Sequence, residues 1–238
     1  MDSSSRFYLI SIKNSLVLSG NEKKLLNDYV RALLSWNKKI NLISRRDEEN
    51  IWMKHILGSL SFLFRFRLHT KSSLCDVGTG GGLPGIPIAI LHPDLHIVLI
   101  DSIQKKIMTT NDIISTIGLR NVTTIQGRVE ELTQKKEHLR AFDYVIARGV
   151  APISQIVQWC SGLLKQPADA RAHVQKATSS KPAIPTGTIL LLKGGDLAQE
   201  IDEAYQKLKI KKIEVHDLIV QDVDPVDYAG KKIVIIQP

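Results

Sequence analysis

The sequence predicts an α/β protein: a mostly parallel seven-stranded sheet ending in an antiparallel pair, with a small helical extension before it. Three observations predict this. From about residue 72, short apolar runs alternate with helical ones, the pattern of a parallel sheet covered on both faces. The first run, 73–77, opens onto a glycine turn and a helix start, Asp76-Val-Gly-Thr-Gly-Gly-Gly-Leu-Pro-Gly85. The last two runs, 213–220 and 232–237, have only a short polar connection, so they are expected to pair as an antiparallel hairpin.

The extension, residues 1–71, reads as helical. Asn21 is placed to cap a helix reaching about Lys38, with Leu25, Leu26, Tyr29, Leu33, Leu34 and Trp36 near one face. A basic polar turn, 37–46, follows. Asp47, Glu48 and Glu49 then put acids on the first turn of a second helix carrying Ile51, Ile56, Leu57, Leu60, Leu63 and Phe64. In the main domain, 72–238, strands are expected at 73–77, 96–100, 122–125, 142–147 and 188–192, and helices near 85–91, 102–117, 151–164 and 197–208. The stretch 166–186 contains Pro167, Pro182 and Pro185 among small and polar residues, and reads as a surface insertion.

A chain of 238 residues can bury a real core, and 43% hydrophobic with 24% charged residues is ordinary for a soluble globular protein. No apolar run is long enough to span a bilayer, and the acid at Asp2 does not suit a signal peptide. Cys75 and Cys160 have no metal-like spacing and read as buried thiols in a reducing cytoplasm. No metal site is expected. The net charge of +8 is uneven: residues 1–71 hold 13 Lys and Arg against 6 Asp and Glu, whereas residues 72–238 hold 19 against 18. A basic segment of this kind points to a polyanionic partner, nucleic acid first.

The glycine turn bears the chemistry. Glycine serves where the backbone takes positive φ or must approach a ligand closely, and a turn at a helix start offers N–H groups to an anion. Gly80-Gly-Gly-Leu-Pro-Gly85 satisfies the dinucleotide pattern G-x-G-x-x-G. Asp76, taken to stand at the mouth of the loop, argues against a pyrophosphate and suits S-adenosylmethionine, which carries an ammonium and a sulfonium. Asp101, closing the second strand, is placed to accept hydrogen bonds from ribose hydroxyls. The methyl donor is favoured over a nicotinamide or flavin nucleotide, and a glycine turn without a ligand is the remaining alternative.

Further segments complete a pattern: Trp36-Asn37 with Asn41-Leu42, His55-Ile-Leu-Gly-Ser59, Gly82-Leu-Pro-Gly-Ile-Pro87, Asp101-Ser102, Gly127-Arg-Val-Glu-Glu131, Ala147-Arg-Gly-Val-Ala-Pro152 and Leu192-Lys-Gly194. Over nearly its whole length the chain resembles the bacterial glucose-inhibited division protein B family. These are the small-subunit ribosomal RNA methyltransferases that make 7-methylguanosine. The resemblance implies a class I, Rossmann-like methyltransferase fold. It also implies S-adenosylmethionine as cofactor, with donor contacts at Gly78, Leu83, Val129, Glu130 and Arg148; the loop residues Asp76, Gly80 and Gly82 and the ribose acid Asp101 join them. Position 129–130 follows a strand at the same sheet edge as the glycine turn. Glu130 read alone is equally a helix N-terminal acid. Arg148 ends its strand and is expected at the pocket mouth, holding a donor carboxylate or an RNA phosphate. Where the family has Asp this chain has Gly58, and where it has Arg-Ala this chain has Arg148-Gly149. The insertion at 166–186 is also longer than the family's turn.

The implied reaction is methylation of guanine N7 in 16S ribosomal RNA. N7 carries a free lone pair and the sulfonium is a good leaving group, so alignment suffices and no general base is expected. The sequence has no cysteine nucleophile motif for cytosine C5, and no Asp/Asn-Pro-Pro-aromatic turn for adenine N6. Phosphate contacts are expected from Lys38, Lys39, Arg45, Arg46, Lys54, Arg65 and Arg67. Trp36 and Trp52 are read as helix-core residues rather than base-stacking ones. Another RNA, protein or small-molecule acceptor, a nicotinamide-dependent oxidoreductase, and a non-catalytic RNA-binding module are the competing readings. The partner is taken to be 16S ribosomal RNA or a small-subunit particle, in the cytoplasm, with the protein monomeric and neither membrane nor metal involved.

Overall fold

Two periodicities arrange the molecule: period 2 along the strands and the helical period of the segments covering them. The computed structural model describes residues 2–166 and 180–238. Its elements are α1 (Ser3–Lys13), α2 (Gly20–Asn37), α3 (Gly58–Leu60), β1 (Ser73–Val77), α4 (Gly85–Leu91), β2 (His96–Asp101), α5 (Gln104–Ile117), β3 (Val122–Gln126), α6 (Val129–Leu132), β4 (Tyr144–Arg148), α7 (Ile153–Cys160), β5 (Thr188–Gly194), α8 (Ala198–Lys207), β6 (Lys212–Asp217), α9 (Pro225–Tyr228) and β7 (Lys231–Gln237). The sheet runs β3-β2-β1-β4-β5-β7-β6. β1 to β5 are parallel, and β7 is antiparallel to both β5 and β6. The expected hairpin therefore forms, but its connection is longer than anticipated and contains α9.

Alternation divides the core cleanly. Leu74, Ile97, Leu99, Tyr144, Ile146, Leu190, Ile233 and Ile235 point to one face, where they join residues of α1, α2, α4 and α5. Cys75, Val77, Val98, Ile100, Val145, Ala147, Ile189, Leu191 and Val234 point to the other, against Ile153, Ile156, Val157 and Cys160 of α7. Both cysteines are buried free thiols, as expected.

Residues 1–71 do not stand off as an arm. Phe7, Leu26, Tyr29 and Leu33 are buried in the same cluster as the strands of the first face. Helix α1, absent from the sequence expectation, is capped by Asp2, whose carboxylate accepts from Ser5 N–H. Helix α2 starts two residues earlier than expected. Ser19, not Asn21, is its N-cap, and with Glu22 it forms a capping box. The second expected helix is broken into a 3-10 turn, Arg45–Asp47, a π-helical turn, Trp52–Leu57, and α3. Two of its acids brace neighbours instead of a helix dipole. Asp47 accepts from Lys54 Nζ at 2.6 Å and Glu48 from Asn37 Nδ2 at 2.6 Å. Trp52 is core, packed on Phe7 and Tyr8. Trp36 is half-buried and donates through Nε1 to Asp112 of α5.

The insertion expected at 166–186 lies largely outside the described residues. Its downstream flank is stitched to the body. Arg67 N–H donates to Pro182 O and Ile184 N–H to Arg67 O, while Lys181 Nζ donates to Leu63 O and Ser15 O.

Candidate functional site

The parallel strands end together. Val77 pairs with Ile100 and Ala147, Asp101 with Gln126, and Arg148 with Leu192. On leaving β1 the strand order runs both ways, to β2 and to β4, and ligands of open α/β sheets collect at such a switch point. A cavity of about 230 Å³ opens there; its lining includes Gly78, Asp101, Val129, Glu130, Val150 and Trp159. Four of the nine expected donor residues thus meet in one cavity. Asp76, Gly80, Gly82, Leu83 and Arg148 are not part of its lining.

Asp76 is the clearest correction. It is fully buried and does not stand at the loop mouth. Alternation along β1 sends its side chain to the face of Leu74, under the glycine turn. There Oδ2 accepts from Thr79 Oγ1 at 2.6 Å and from Gly85 N–H at 2.9 Å. Oδ1 is buried without a hydrogen-bond partner, and burial pushes the carboxyl up to about 7. Its work is to close the loop onto α4.

The loop N–H groups are also largely spent internally. Thr79 N–H donates to Ile100 O, Gly82 and Leu83 N–H to Thr79 O, and Gly80 N–H to Asp101 Oδ2. The loop carbonyls are held from outside: Tyr29 Oη donates to Gly81 O at 2.9 Å and Thr110 Oγ1 to Gly80 O at 3.0 Å. The turn is therefore a rigid platform more than a row of free donors. Gly78 sits at φ +69°, and a Cβ there would come within 2.6 Å of Val150 Cγ2. Val150 and Trp159 were not anticipated as lining residues. They come from the segment after β4 and from α7, whose approach to β1 is a tertiary fact.

Asp101 is nearly buried and fixed at both oxygens, Oδ1 accepting from Ile103 N–H at 2.9 Å and Oδ2 from Gly80 N–H at 3.0 Å. Each oxygen keeps a second lone-pair direction for a ligand hydroxyl. Glu130 lies on the first turn of α6, so its expected dipole role and a place in the cavity coexist.

Arg148 is the second correction. Alternation along β4 sends it to the face of Tyr144 and Ile146, away from the first cavity. It lines a second cavity of about 220 Å³, together with Lys54 and Gly58. Its Nη2 donates to His55 Nδ1 at 3.0 Å, and burial beside this guanidinium lowers His55 to about 4. Of the expected RNA contacts, Lys38, Lys39, Arg45, Arg46, Lys54 and Arg65 are exposed. Arg67 is half-buried and its Nε donates to Lys181 O, a structural position. Among the described residues no group of three or more His, Cys, Asp or Glu is disposed to hold a metal ion, and no helix is long and apolar enough to cross a membrane.

With this geometry in view, relatives become informative. The family model for rRNA small subunit methyltransferase G matches residues 22–181. The chain belongs to that family. A ribosomal RNA small subunit methyltransferase G from Christiangramia forsetii is 38% identical over 187 residues, 79% of this chain and 78% of its own. One from Bacteroides fragilis is 34% identical over 221 residues, covering 92% and 94%. Among solved structures, a chain of the fibrillarin/Nop5p complex superposes with a TM-score of 0.51 at 8% identity, covering 74% of this chain and 78% of its own, a likeness of fold alone.

Proposed function

We propose that the protein transfers the methyl group of S-adenosylmethionine to N7 of a guanine in 16S ribosomal RNA, by in-line displacement without a general base. The observation that carries this reading is the convergence of Gly78, Asp101, Val129 and Glu130 on one cavity at the switch point. These groups fit a nucleoside donor. Asp101, held by two backbone N–H groups, accepts from ribose hydroxyls. Val129 offers an apolar contact for the adenine, and Glu130 an acceptor for its amino group. Gly78 lets Val150 close that wall of the cavity, since a Cβ there would meet Val150 Cγ2 at 2.6 Å. When bound, the donor supplies an electrophilic methyl on a sulfonium.

The chain's residues then contribute position. The pinned glycine platform holds the donor in place, so the barrier is lowered by alignment. Asp76 enters only by fixing the loop. Leu83, Gly80 and Gly82 shape the turn, with Gly82 at φ +92° and Gly80 at φ +58°. The substrate is 16S ribosomal RNA or a small-subunit particle in the cytoplasm, met by a monomer. The test is direct. Purified protein with labelled donor and 16S ribosomal RNA should yield label at guanine N7 on base mapping. Calorimetry should show binding of S-adenosylmethionine and none of NADH. Label in protein fractions only, or NADH binding at the same site, overturns the reading.

A further inference from the structure

The tryptophans of this chain are held in different ways. Trp52 packs on Phe7 and Tyr8, and Trp36 donates through Nε1 to Asp112 at 2.8 Å. Trp159 lines the first cavity, and its Nε1–H has no hydrogen-bond partner among the described residues. That nitrogen is accessible, not sealed in the core. An indole N–H ordinarily finds an acceptor when it is covered, so an open one on a cavity wall is a group waiting for a ligand.

Helix α7 explains the placement. Ile153, Ile156, Val157 and Cys160 form its core stripe, and all four are buried. Position 159 falls beside that stripe, one turn on from Ile156. The indole is therefore half-buried, packed against the second core cluster with part of its surface left uncovered. It brings apolar area and one donor to the cavity, and no acceptor.

Its neighbours in the lining supply the complement. Val129 and Glu130 come from α6, and a carboxylate only accepts. Arg128 Nη1 stands 3.8 Å from Glu130 Oε1, an ion pair with both side chains exposed, which leaves Oε2 for a ligand. Apolar surface, one acceptor and one donor thus meet in one cavity. The amino edge of adenine matches this set: the amino group donates, and N1 and N7 on either side of it accept. Guanine reverses the edge, with a carbonyl oxygen and N1–H, so Glu130 would face an oxygen.

We infer that Trp159 binds the adenine of the methyl donor, its indole contacting the base and its Nε1–H donating to N1 or N7 beside the amino group that Glu130 accepts. The inference rests on the methyltransferase reading above and adds a residue that selects the base. A base without a ring acceptor at that place would cover the N–H and leave it unpaired, which costs binding.

The test uses S-adenosylhomocysteine and two analogues in which N1 or N7 is replaced by C–H, with affinities from calorimetry. Trp159→Phe keeps an aromatic ring on α7 and removes the N–H; circular dichroism and melting check its fold. The wild type should bind at least one analogue about tenfold more weakly than S-adenosylhomocysteine. Trp159→Phe should bind S-adenosylhomocysteine about tenfold more weakly than the wild type does, and no longer distinguish it from that analogue. A loss of packing alone would weaken all three ligands alike and keep the discrimination, which would overturn the proposal. Equal binding of all three by the wild type would overturn it without recourse to any variant. Trp159 is the one tryptophan in this lining, so ligand binding should also change wild-type tryptophan fluorescence, and an unchanged spectrum on saturation would count against the contact in the same way. A failure of the methyltransferase reading shows separately, as wild-type protein that binds NADH and no S-adenosylhomocysteine.

Discussion

Replacing Asp76 by Asn removes a titrating carboxyl from the interior, and the structure sets the size of the effect. The carboxyl ionises near 3.8 in the unfolded chain and at about 7 when buried under the glycine turn. The folded state therefore holds a proton that the unfolded state has lost between about pH 4 and about pH 7, and stability falls as pH rises through that window. Above about pH 7 both states are ionised and the penalty is constant. A gap of about 3 pH units, at about 1.4 kcal/mol each, makes the full penalty on the order of 4 kcal/mol. Asn can keep the bonds from Gly85 N–H and Thr79 Oγ1 with its carbonyl oxygen, while its amide occupies the place of the unpartnered Oδ1. That unpaired amide costs a fixed amount at every pH. The diagnostic is therefore the change with pH, not the offset. Urea unfolding of both proteins, followed by tryptophan fluorescence from about pH 5 to pH 8, should show the variant gaining on the wild type by about 2.5 kcal/mol, the rest of the penalty falling below pH 5. Other titrating groups cancel in the difference. Parallel curves would mean that Asp76 is ionised throughout, and the account of a neutral carboxyl closing the loop would fail.

Three further outcomes follow from the first cavity and the basic surface. Gly78→Ala forces a Cβ to within 2.6 Å of Val150 at φ +69°, so donor affinity in calorimetry should drop more than tenfold, about 1.4 kcal/mol or more; an unchanged value removes Gly78 from the site. Asp101→Ala should weaken S-adenosylmethionine and its demethylated product alike, because both keep the ribose hydroxyls. It should also lower the melting temperature by freeing the Gly80 and Ile103 N–H groups, whereas a loss confined to the donor would move Asp101 to the sulfonium. Arg45→Ala with Arg46→Ala should weaken RNA binding and flatten its salt dependence while donor affinity stays within about twofold; coincident salt lines would take this turn out of the interface.

Much of this molecule is local, and local chemistry is legible in the chain. Runs such as Ser73–Val77 and Gly85–Leu91 carry their own period, and the glycine turn between them follows from residues a few positions apart. The parallel pairing and the antiparallel edge also follow from alternation and connection, whereas the strand order β3-β2-β1-β4-β5-β7-β6 comes from the tertiary structure, and family motifs name the reaction. The direction of Asp76 is legible too, since period 2 places it with Leu74 and beneath the loop instead of at its mouth. Tertiary structure decided the remainder. Arg148 meets His55 across 93 positions, Tyr29 reaches Gly81 across 52, and Val150 and Trp159 close over Gly78 from another strand-helix unit. No periodicity encodes such meetings, because they depend on how α2, the π-helical turn and α7 pack on the sheet. That packing turned a basic segment into part of the core and placed a second, cationic cavity beside the first. The sequence by itself determined the strands, most of the helices, the fold class and the family. Which side chains share a cavity was set by the layers, because a side chain's neighbours come from whatever its face of the sheet must bury.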